Sequence, residues 1–483
     1  MKSIVVNVVP EETRMAILED NELMELSVER TLQDHIVGNI YKGKVQNVLP
    51  GMQAAFVDIG YEKNAFLYIG DGLPKDAVKS IVKPEAFHVG QNVLIQIVKD
   101  AIGTKGPRAT THLTLPGRYV VLMPTVDYIG ISRRIERAEE RERLKKLADK
   151  ICPKGMGLIV RTIAQDKSEA VLAKDINYLA NLWQAITARS KVSGALTLLY
   201  RDADLVIRIV RDYLAADVDE LIIDNQDAYQ KICDLLQTSP EVLAKVKLYN
   251  APEGIFKHYS INEEIEKMGK REIELKSGGS IVIDKTEALT VIDVNTGKFV
   301  GKTNLADTVF QTNIEAAEEI TKQIRLRDIG GIIIVDFIDM EMDEHKQTIL
   351  SVLEEKVKKD RTKTNIVDIT SLGLVEMTRK KSRKNFEGML YSTCPCCDGR
   401  GRVKSPETVS INICRGLRRI HKSKNSSHAY LIQVHPQVAE SLFQTDILEK
   451  LKTELGCRIK VESSLQFHPE VYSILQLDDH NID

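Results

Sequence analysis

The sequence predicts a soluble multidomain protein of mixed α/β and α+β class, on three observations. A chain of 483 residues exceeds the roughly 250–300 residues at which one hydrophobic core stops growing. Two strongly apolar strands, at 289–292 and 332–335, bracket one long helical stretch at 305–327, the order expected of neighbouring parallel strands joined by a crossover. From Gly38 to Gly117 the text changes to short strands punctuated by glycine, which reads as an all-β segment. Apolar content of 43% and charged content of 28% suit a globular chain. A net charge of −2 excludes a strongly basic protein. It leaves RNA binding open, because KVKKDRTK and TRKKSRKN are locally basic.

The cysteines cluster as Cys394, Cys396 and Cys397 around Pro395, while Cys152, Cys233, Cys414 and Cys457 are scattered. That spread suits a reducing compartment and a metal site better than a disulfide framework. The opening MKSIVVNVVPEE lacks the apolar core of a signal peptide. No segment approaches about 20 apolar residues, so a cytoplasmic protein with no membrane span is expected.

Residues 3–9 and 13–28 alternate as a β-hairpin turning at 19–22, too short to fold alone. Within 38–117, NIYKGKVQNVLPGMQAAFVDIG and HVGQNVLIQIVKD resemble the S1 domain, a small OB-type barrel that binds single-stranded RNA. Phe56 lies in AAFVDIG, while Phe66 and Tyr68 share a strand face. Aromatics there either stack bases or fill the barrel core. Lys105, in the GTKGPR loop, offers a point charge to phosphate.

The segment 118–206 carries the mixed-charge run ERAEERERLKK, read as a solvated helix face, and a helix through Trp183. Two short strands end in Arg and a hydroxyl, at GISRR and at Arg161-Thr162. A guanidinium fork beside a hydroxyl could meet a terminal phosphate. A helix over 204–215 and a strand over 220–224 follow, with no chemistry assigned.

The most informative text is 279–345. Its apolar strands run into Asp293-Val294-Asn295 and into Asp336. Strands this apolar are expected inside a sheet covered on both faces. Alternation turns Asp293 and Asn295 the same way. A strand-end Asp also caps well. Two such strands with an added Asn instead favour a hard-oxygen site for Mg²⁺ or Mn²⁺. Asp339 lies near the pair, and Asp343 and Glu344 read as first-turn acids of a helix over 344–359.

Beyond residue 391, Cys394 and Cys397 stand at C-x-x-C spacing with Gly399 and Gly401 easing the next turn. This is half of a tetrahedral zinc site. No second pair exists, so two subunits giving two thiolates each is the economical closure, and a redox pair is the alternative. Residues 405–483 read as a small α+β tail with a helix at 408–421 and strands at HAYLIQV and EVYSILQL.

The words VIDVNTG and VDFIDM resemble the strands that carry the catalytic aspartates of the ribonuclease E/G family, and the likeness runs through the whole chain. The end at residue 483, without a Pro- and Arg-rich extension, resembles the shorter, G-type build. The resemblance implies an RNase H-like subdomain (1–35 and 207–270) interrupted by an S1 domain (36–117) and a 5′-sensor (118–206). It further implies a DNase I-like catalytic subdomain (271–390), a zinc-link (391–404) and a small C-terminal domain (405–483). By the same resemblance Asp293, Asp336 and Asn295 are catalytic, with Mg²⁺ on the two aspartates. Phe56, Phe66 and Lys105 would contact RNA, and Gly117, Val121, Arg133, Arg161 and Thr162 would sense a 5′-monophosphate. Cys394 and Cys397 would share zinc across a homodimer, with a tetramer as the alternative assembly. The implied activity is cleavage of single-stranded, AU-rich RNA to 5′-phosphate and 3′-hydroxyl ends, in rRNA processing and mRNA decay. A non-catalytic S1-type RNA-binding scaffold is the rival reading.

Overall fold

The computed structural model describes residues 1–31, 36–68, 87–101, 105–215, 217–237, 239–297, 305–370, 372–381, 387–422, 429–444 and 446–477. They fall into two compact units, Met1–Met389 and Leu390–Asp483. Among the described residues no helix is long and apolar enough to cross a membrane.

The opening strands Lys2–Val8, Glu12–Glu19 and Glu22–Arg30 form an antiparallel meander with two reversals, where the sequence suggested one. The second reversal uses Asp20 and Asn21 at φ 51° and 66°, the left-handed pair a tight hairpin turn needs. The meander completes its sheet with distant chain. Glu220–Ile223 runs parallel to the first strand, aligning Ile4 with Leu221 and Val6 with Ile223, and Val246–Leu248 follows at the edge. Ile4, Val6, Met15 and Ile17 are buried with Leu205, Ile209, Leu221 and Ile232. The helix predicted over 204–215 is one α-turn, Leu205–Arg208, continued as a π-helix, Ile209–Tyr213.

Strands Ile40–Leu49, Ala54–Asp58, Ala65–Tyr68, Arg108–Thr110 and Asn92–Lys99 close into a five-stranded barrel, the last pairing back on the first. This is the S1/OB-like element expected from the text. Next to it, Leu115–Pro116, Val120–Met123, Gly157–Val160 and Ile129–Ile131 make a four-stranded sheet. Helices Ala138–Ile151 and Glu169–Val192 bury Leu144, Ala148, Leu172, Ile176 and Leu179 in its core.

The helix Ala138–Ile151 is not wholly a solvated face. Glu140 is buried, takes Arg143 on both oxygens at 2.7 Å and accepts the Asp166 N–H at 2.9 Å. These bonds, Arg143's first, hold its carboxyl at about 2 against the opposing effect of burial. A depressed carboxylate stabilises the fold fully above its ordinary value of 4.5 and loses that contribution as pH falls toward about 2. Because Arg143 is 40% exposed, Glu140→Gln is expected to cost only about 1 to 2 kcal/mol at neutral pH. Denaturant midpoints should show the gap from wild type narrowing as pH drops through that window. A gap of constant size would refute the assignment.

The last sheet of the first unit has the order Glu272–Glu274, Ser280–Lys285, Leu289–Asn295, Gly331–Asp336, Leu374–Arg379, Thr364–Ile369. Its central pair is parallel, as the sequence implied, and its other pairings are antiparallel. Helix Leu305–Leu326 connects the parallel pair, and Asp343–Lys358 follows it with Asp343 and Glu344 in the first turn. One sheet face, carrying Ile281, Ile292, Val294, Ile333 and Val335, is buried with Ala316, Ala317, Ile320, Ile349 and Leu353 of these helices. The expectation of cover on both faces is not met. On the opposite face Ile332 is 50% exposed, Val291 and Ile334 are half-buried, and Asp293, Asn295 and Asp336 are exposed. Antiparallel flanking strands permit one wet face, and three hydrophilic side chains keep it wet.

In the second unit, strand Ala429–Val434 lies between Arg458–Ser463, parallel to it, and Ser473–Leu477, antiparallel. Helices Pro406–Lys422, Pro436–Gln444 and Ile447–Leu455 bury Val409, Ile413, Leu417, Leu442 and Leu451 with Tyr430 and Ile432.

Candidate functional site

The parallel register pairs Asp293 directly with Asp336. Adjacent strands lie about 4.8 Å apart, so two carboxylates on one face can grip a single cation. Asn295 sits two residues on, on the same exposed face, and its Nδ2 donates to Asp293 Oδ2 at 2.9 Å. Residues 298–300, which follow, lie outside the described residues. The exit from the second strand is pinned from the helix side. Asn313, fully buried, donates to the Ile338 carbonyl at 2.8 Å and accepts the Ile338 N–H at 3.1 Å. Asp339 is exposed nearby, while His345 stacks on Phe310 with centroids 3.9 Å apart and serves packing.

Among the described residues no group of three or more His, Cys, Asp or Glu converges to hold a metal. The donor set at the sheet is therefore two carboxylates. Mg²⁺ characteristically takes one or two protein carboxylates and keeps waters for the rest of its octahedron. Hard oxygens in this number suit Mg²⁺ or Mn²⁺ better than zinc, which favours nitrogen and sulfur donors.

The four-stranded sheet brings the second set of expected residues together. Ile129–Ile131 and Gly157–Val160 run parallel with Ile131 beside Val160, so Ser132-Arg133 and Arg161-Thr162 leave the same sheet end. Val121 is half-buried on the adjoining strand, and Arg133 is exposed. Arg161 donates from Nη1 to the Gly117 carbonyl at 2.8 Å and from Nη2 to Asp212 at 2.7 Å. A Cβ at Gly117 would stand 2.6 Å from Asp175 Oδ2, so a side chain there would displace the carboxylate that accepts the Tyr119 N–H at 2.8 Å. Thr162 Oγ1 meets Ser132 Oγ at 3.0 Å. Burial raises the Asp212 carboxyl, but Arg211 and Arg161 outweigh it and hold the group below its ordinary value.

Asp212 was not anticipated, whereas Ser132 is the hydroxyl of the GISRR strand end. Asp212 comes from the π-helix, far along the chain from Arg161, and no spacing announces it. The backbone carbonyls of Asp212 and Tyr213 also accept from Arg361, whose guanidinium lies 4.7 Å over the Tyr213 ring. Arg379 is buried between Asp360 and Asp328. Arg361 and Arg379 thus serve internal joints, and among the described residues of the two basic stretches exposed lysines such as Lys358, Lys359 and Lys363 carry the outward charge.

On the barrel, Phe56 and Phe66 are register partners, with rings 5.6 Å apart in an edge-to-face pair. Both are half-buried and stand outside the barrel's core cluster. Lys105 is exposed on the segment whose Pro107 carbonyl accepts the Phe66 N–H at 2.7 Å. Two half-wet rings beside a cation form a surface on which a base can stack and a phosphate can pair. Tyr68 adds a ring with Arg108 over it at 5.9 Å.

In the second unit the Cys394–Cys397 turn is a compact knuckle. The Asp398 N–H reaches the Cys394 carbonyl at 2.8 Å, and the Arg400 N–H reaches the Cys397 carbonyl at 2.9 Å. Gly399 and Gly401 adopt φ 76° and 69°, as the turn-easing role anticipated. Backbone N–H groups of Cys397 and Cys396, with the Cys397 thiol, hold the Cys394 thiol below its ordinary range. His468 Nε2 meets the Cys396 carbonyl at 2.6 Å, and Glu470 accepts the Lys404 N–H at 2.7 Å. Soft donors aimed into an exposed turn fit zinc, but one chain supplies two of the four ligands a structural site uses.

The Ribonuclease E/G family profile matches residues 114–382, and that of the RNase E/G, Thioredoxin-like domain matches residues 393–477. Ribonuclease G of Escherichia coli (strain K12) is 42% identical over 486 residues, covering 98% of this chain and 99% of that protein. Ribonuclease G of Haemophilus influenzae is 40% identical over 487 residues, with the same coverage. Ribonuclease E of Escherichia coli is 37% identical over 451 residues, covering 89% of this chain but 42% of the relative. With its paired strand-end aspartates inside the matched region and likeness along nearly its full length, the chain belongs to the ribonuclease E/G family.

Proposed function

We propose that this chain is a metal-dependent endoribonuclease that cuts single-stranded, AU-rich RNA to 5′-phosphate and 3′-hydroxyl ends, in rRNA processing and mRNA decay. The carrying observation is the side-by-side register of Asp293 and Asp336 on the open face of the sheet. Its support comes from relatives named ribonucleases along almost the whole chain. Asp293 and Asp336 would hold Mg²⁺, which when bound supplies an acidified water and charge neutralisation at the phosphodiester. Asn295 orients Asp293 through its side-chain hydrogen bond and leaves a second amide face for substrate. Phe56, Phe66 and Lys105 would hold the strand of RNA. The purified chain with Mg²⁺ and a short fluorescent AU-rich RNA should yield fragments bearing 5′-phosphates, and chelation should stop it. Intact RNA under those conditions would sink the reading in favour of the binding scaffold.

We read residues 1–35 with 207–270 as RNase H-like, 36–117 as S1, and 118–206 as the 5′-sensor. Residues 271–390 are read as DNase I-like and catalytic, 391–404 as a zinc-link, and 405–483 as the small C-terminal domain. Seven free cysteines suit a cytoplasmic setting. Gly117, Val121, Arg133, Arg161 and Thr162 would recognise a 5′-monophosphate. Arg161 contributes a charge-assisted bond of about 1.5 to 3 kcal/mol, so Arg161→Ala is expected to remove most of the rate advantage of 5′-monophosphate over 5′-hydroxyl substrate. The 5′-hydroxyl substrate should be cut as before. Kinetics on the matched pair decide, and an unchanged ratio counts against the pocket.

A further inference from the structure

We propose that Ser132 is a positioning residue of the phosphate pocket, aiming the Thr162 hydroxyl at a 5′-terminal phosphate. The inference rests on the reading of Arg161 and Thr162 as phosphate contacts.

Ser132 is fixed where two parallel strands end together, its N–H donating to the Val160 carbonyl at 2.9 Å. Its Oγ stands 3.0 Å from Thr162 Oγ1, and both residues are half-buried. Each hydroxyl owns one proton and can accept more than one, so the pair has two possible directions. The Arg134 N–H lies 3.4 Å from Ser132 Oγ. That bond occupies one lone pair of Ser132 and leaves its own proton for Thr162, the direction this role requires. Thr162 then accepts from Ser132, and its proton points away from Ser132, available to an anion. A chain of donors running one way is polarised further by the charge at its end.

Arg161, next in sequence, is oriented by two different groups, the Gly117 carbonyl and Asp212. These bonds engage one hydrogen on each terminal nitrogen and leave the rest of the fork for phosphate. Arg161 and Thr162 are thus each held by a partner that does not itself need to touch the ligand. A neutral phosphate or a 5′-hydroxyl gains little from this directionality; a phosphate dianion accepting from Thr162 gains the most.

The competing account is that Ser132 merely ties two strand ends. A tie would lower stability and slow both substrates alike. A positioning role lowers only the preference for 5′-monophosphate. Ser132→Ala should reduce the 5′-monophosphate to 5′-hydroxyl ratio about fivefold, the size of one neutral hydrogen bond, and the change should appear in KM with kcat preserved. Ser132→Thr, which keeps a hydroxyl, should restore most of the ratio. In a Thr162→Ala background, Ser132→Ala should have no further effect, because its action passes through Thr162.

Three outcomes would overturn the proposal. Ser132→Ala could leave the ratio intact while Thr162→Ala collapses it. The two substitutions could multiply, marking Ser132 as an independent contact. The ratio could resist Arg161→Ala and Thr162→Ala together, which rejects the pocket itself and this role with it.

Discussion

Asp293→Asn or Asp336→Asn is expected to lower RNA cleavage by roughly a thousandfold or more while RNA affinity stays within a few fold. Asparagine keeps the size and the oxygen of the side chain, so Asn295 can still donate to position 293 as it does at 2.9 Å. What disappears is one negative charge of a two-charge cation grip. Both aspartates are exposed on the open sheet face and far from any core role, so neither change should unfold the protein. RNA affinity is expected to reside on another sheet, where Phe56 and Phe66 pair beside Lys105. Cleavage rates and fluorescence anisotropy on one AU-rich RNA separate the two quantities. A folded variant that cuts at the wild-type rate would remove the aspartates from the chemistry. Wild-type protein that binds but does not cut would leave only the scaffold.

The strands that end on Asp293 and Asp336 were legible because their chemistry contradicts their composition. An apolar run that ends on Asp, twice, around one long helix demanded an explanation, and the parallel register of Asp293 with Asp336 answers it. The meander's need for later chain was legible for a similar reason, since a hairpin alone cannot bury Ile4, Val6, Met15 and Ile17. The open sheet face was not. Val291, Ile332 and Ile334 are as apolar as their buried neighbours, so periodicity cannot say which face meets water.

Pairings between distant segments were also hidden. Asp212 on Arg161, Asn313 on Ile338 and the Asp166 N–H on Glu140 each depend on tertiary placement. Only Asn313 left a trace, as an amide at an otherwise apolar helix position. Arg361 and Arg379 looked like RNA contacts in basic text and are engaged inside the fold. Charge runs state how much charge there is, not where it points.

The cysteine knuckle carries the other large expected effect. One chain presents Cys394 and Cys397 on a turn whose backbone N–H groups already favour the Cys394 thiolate. Among the described residues nothing else gathers there to make a three-ligand group, whereas structural zinc closes its tetrahedron with four. A two-fold axis would solve this, because the same turn on a second copy would bring the same two thiolates. Metal analysis should then find about one zinc per two chains. Cys394→Ser with Cys397→Ser should lose the metal and shift the protein toward monomer in light scattering, with activity falling if the partner completes the catalytic surface. Cys396→Ser is the discriminating control. The Cys396 side chain is exposed, and it is the backbone carbonyl of that residue that meets His468 at 2.6 Å. Changing its thiol should therefore spare both zinc and assembly. One zinc per chain, or a double variant that remains a full dimer, would show that the metal does not join two subunits.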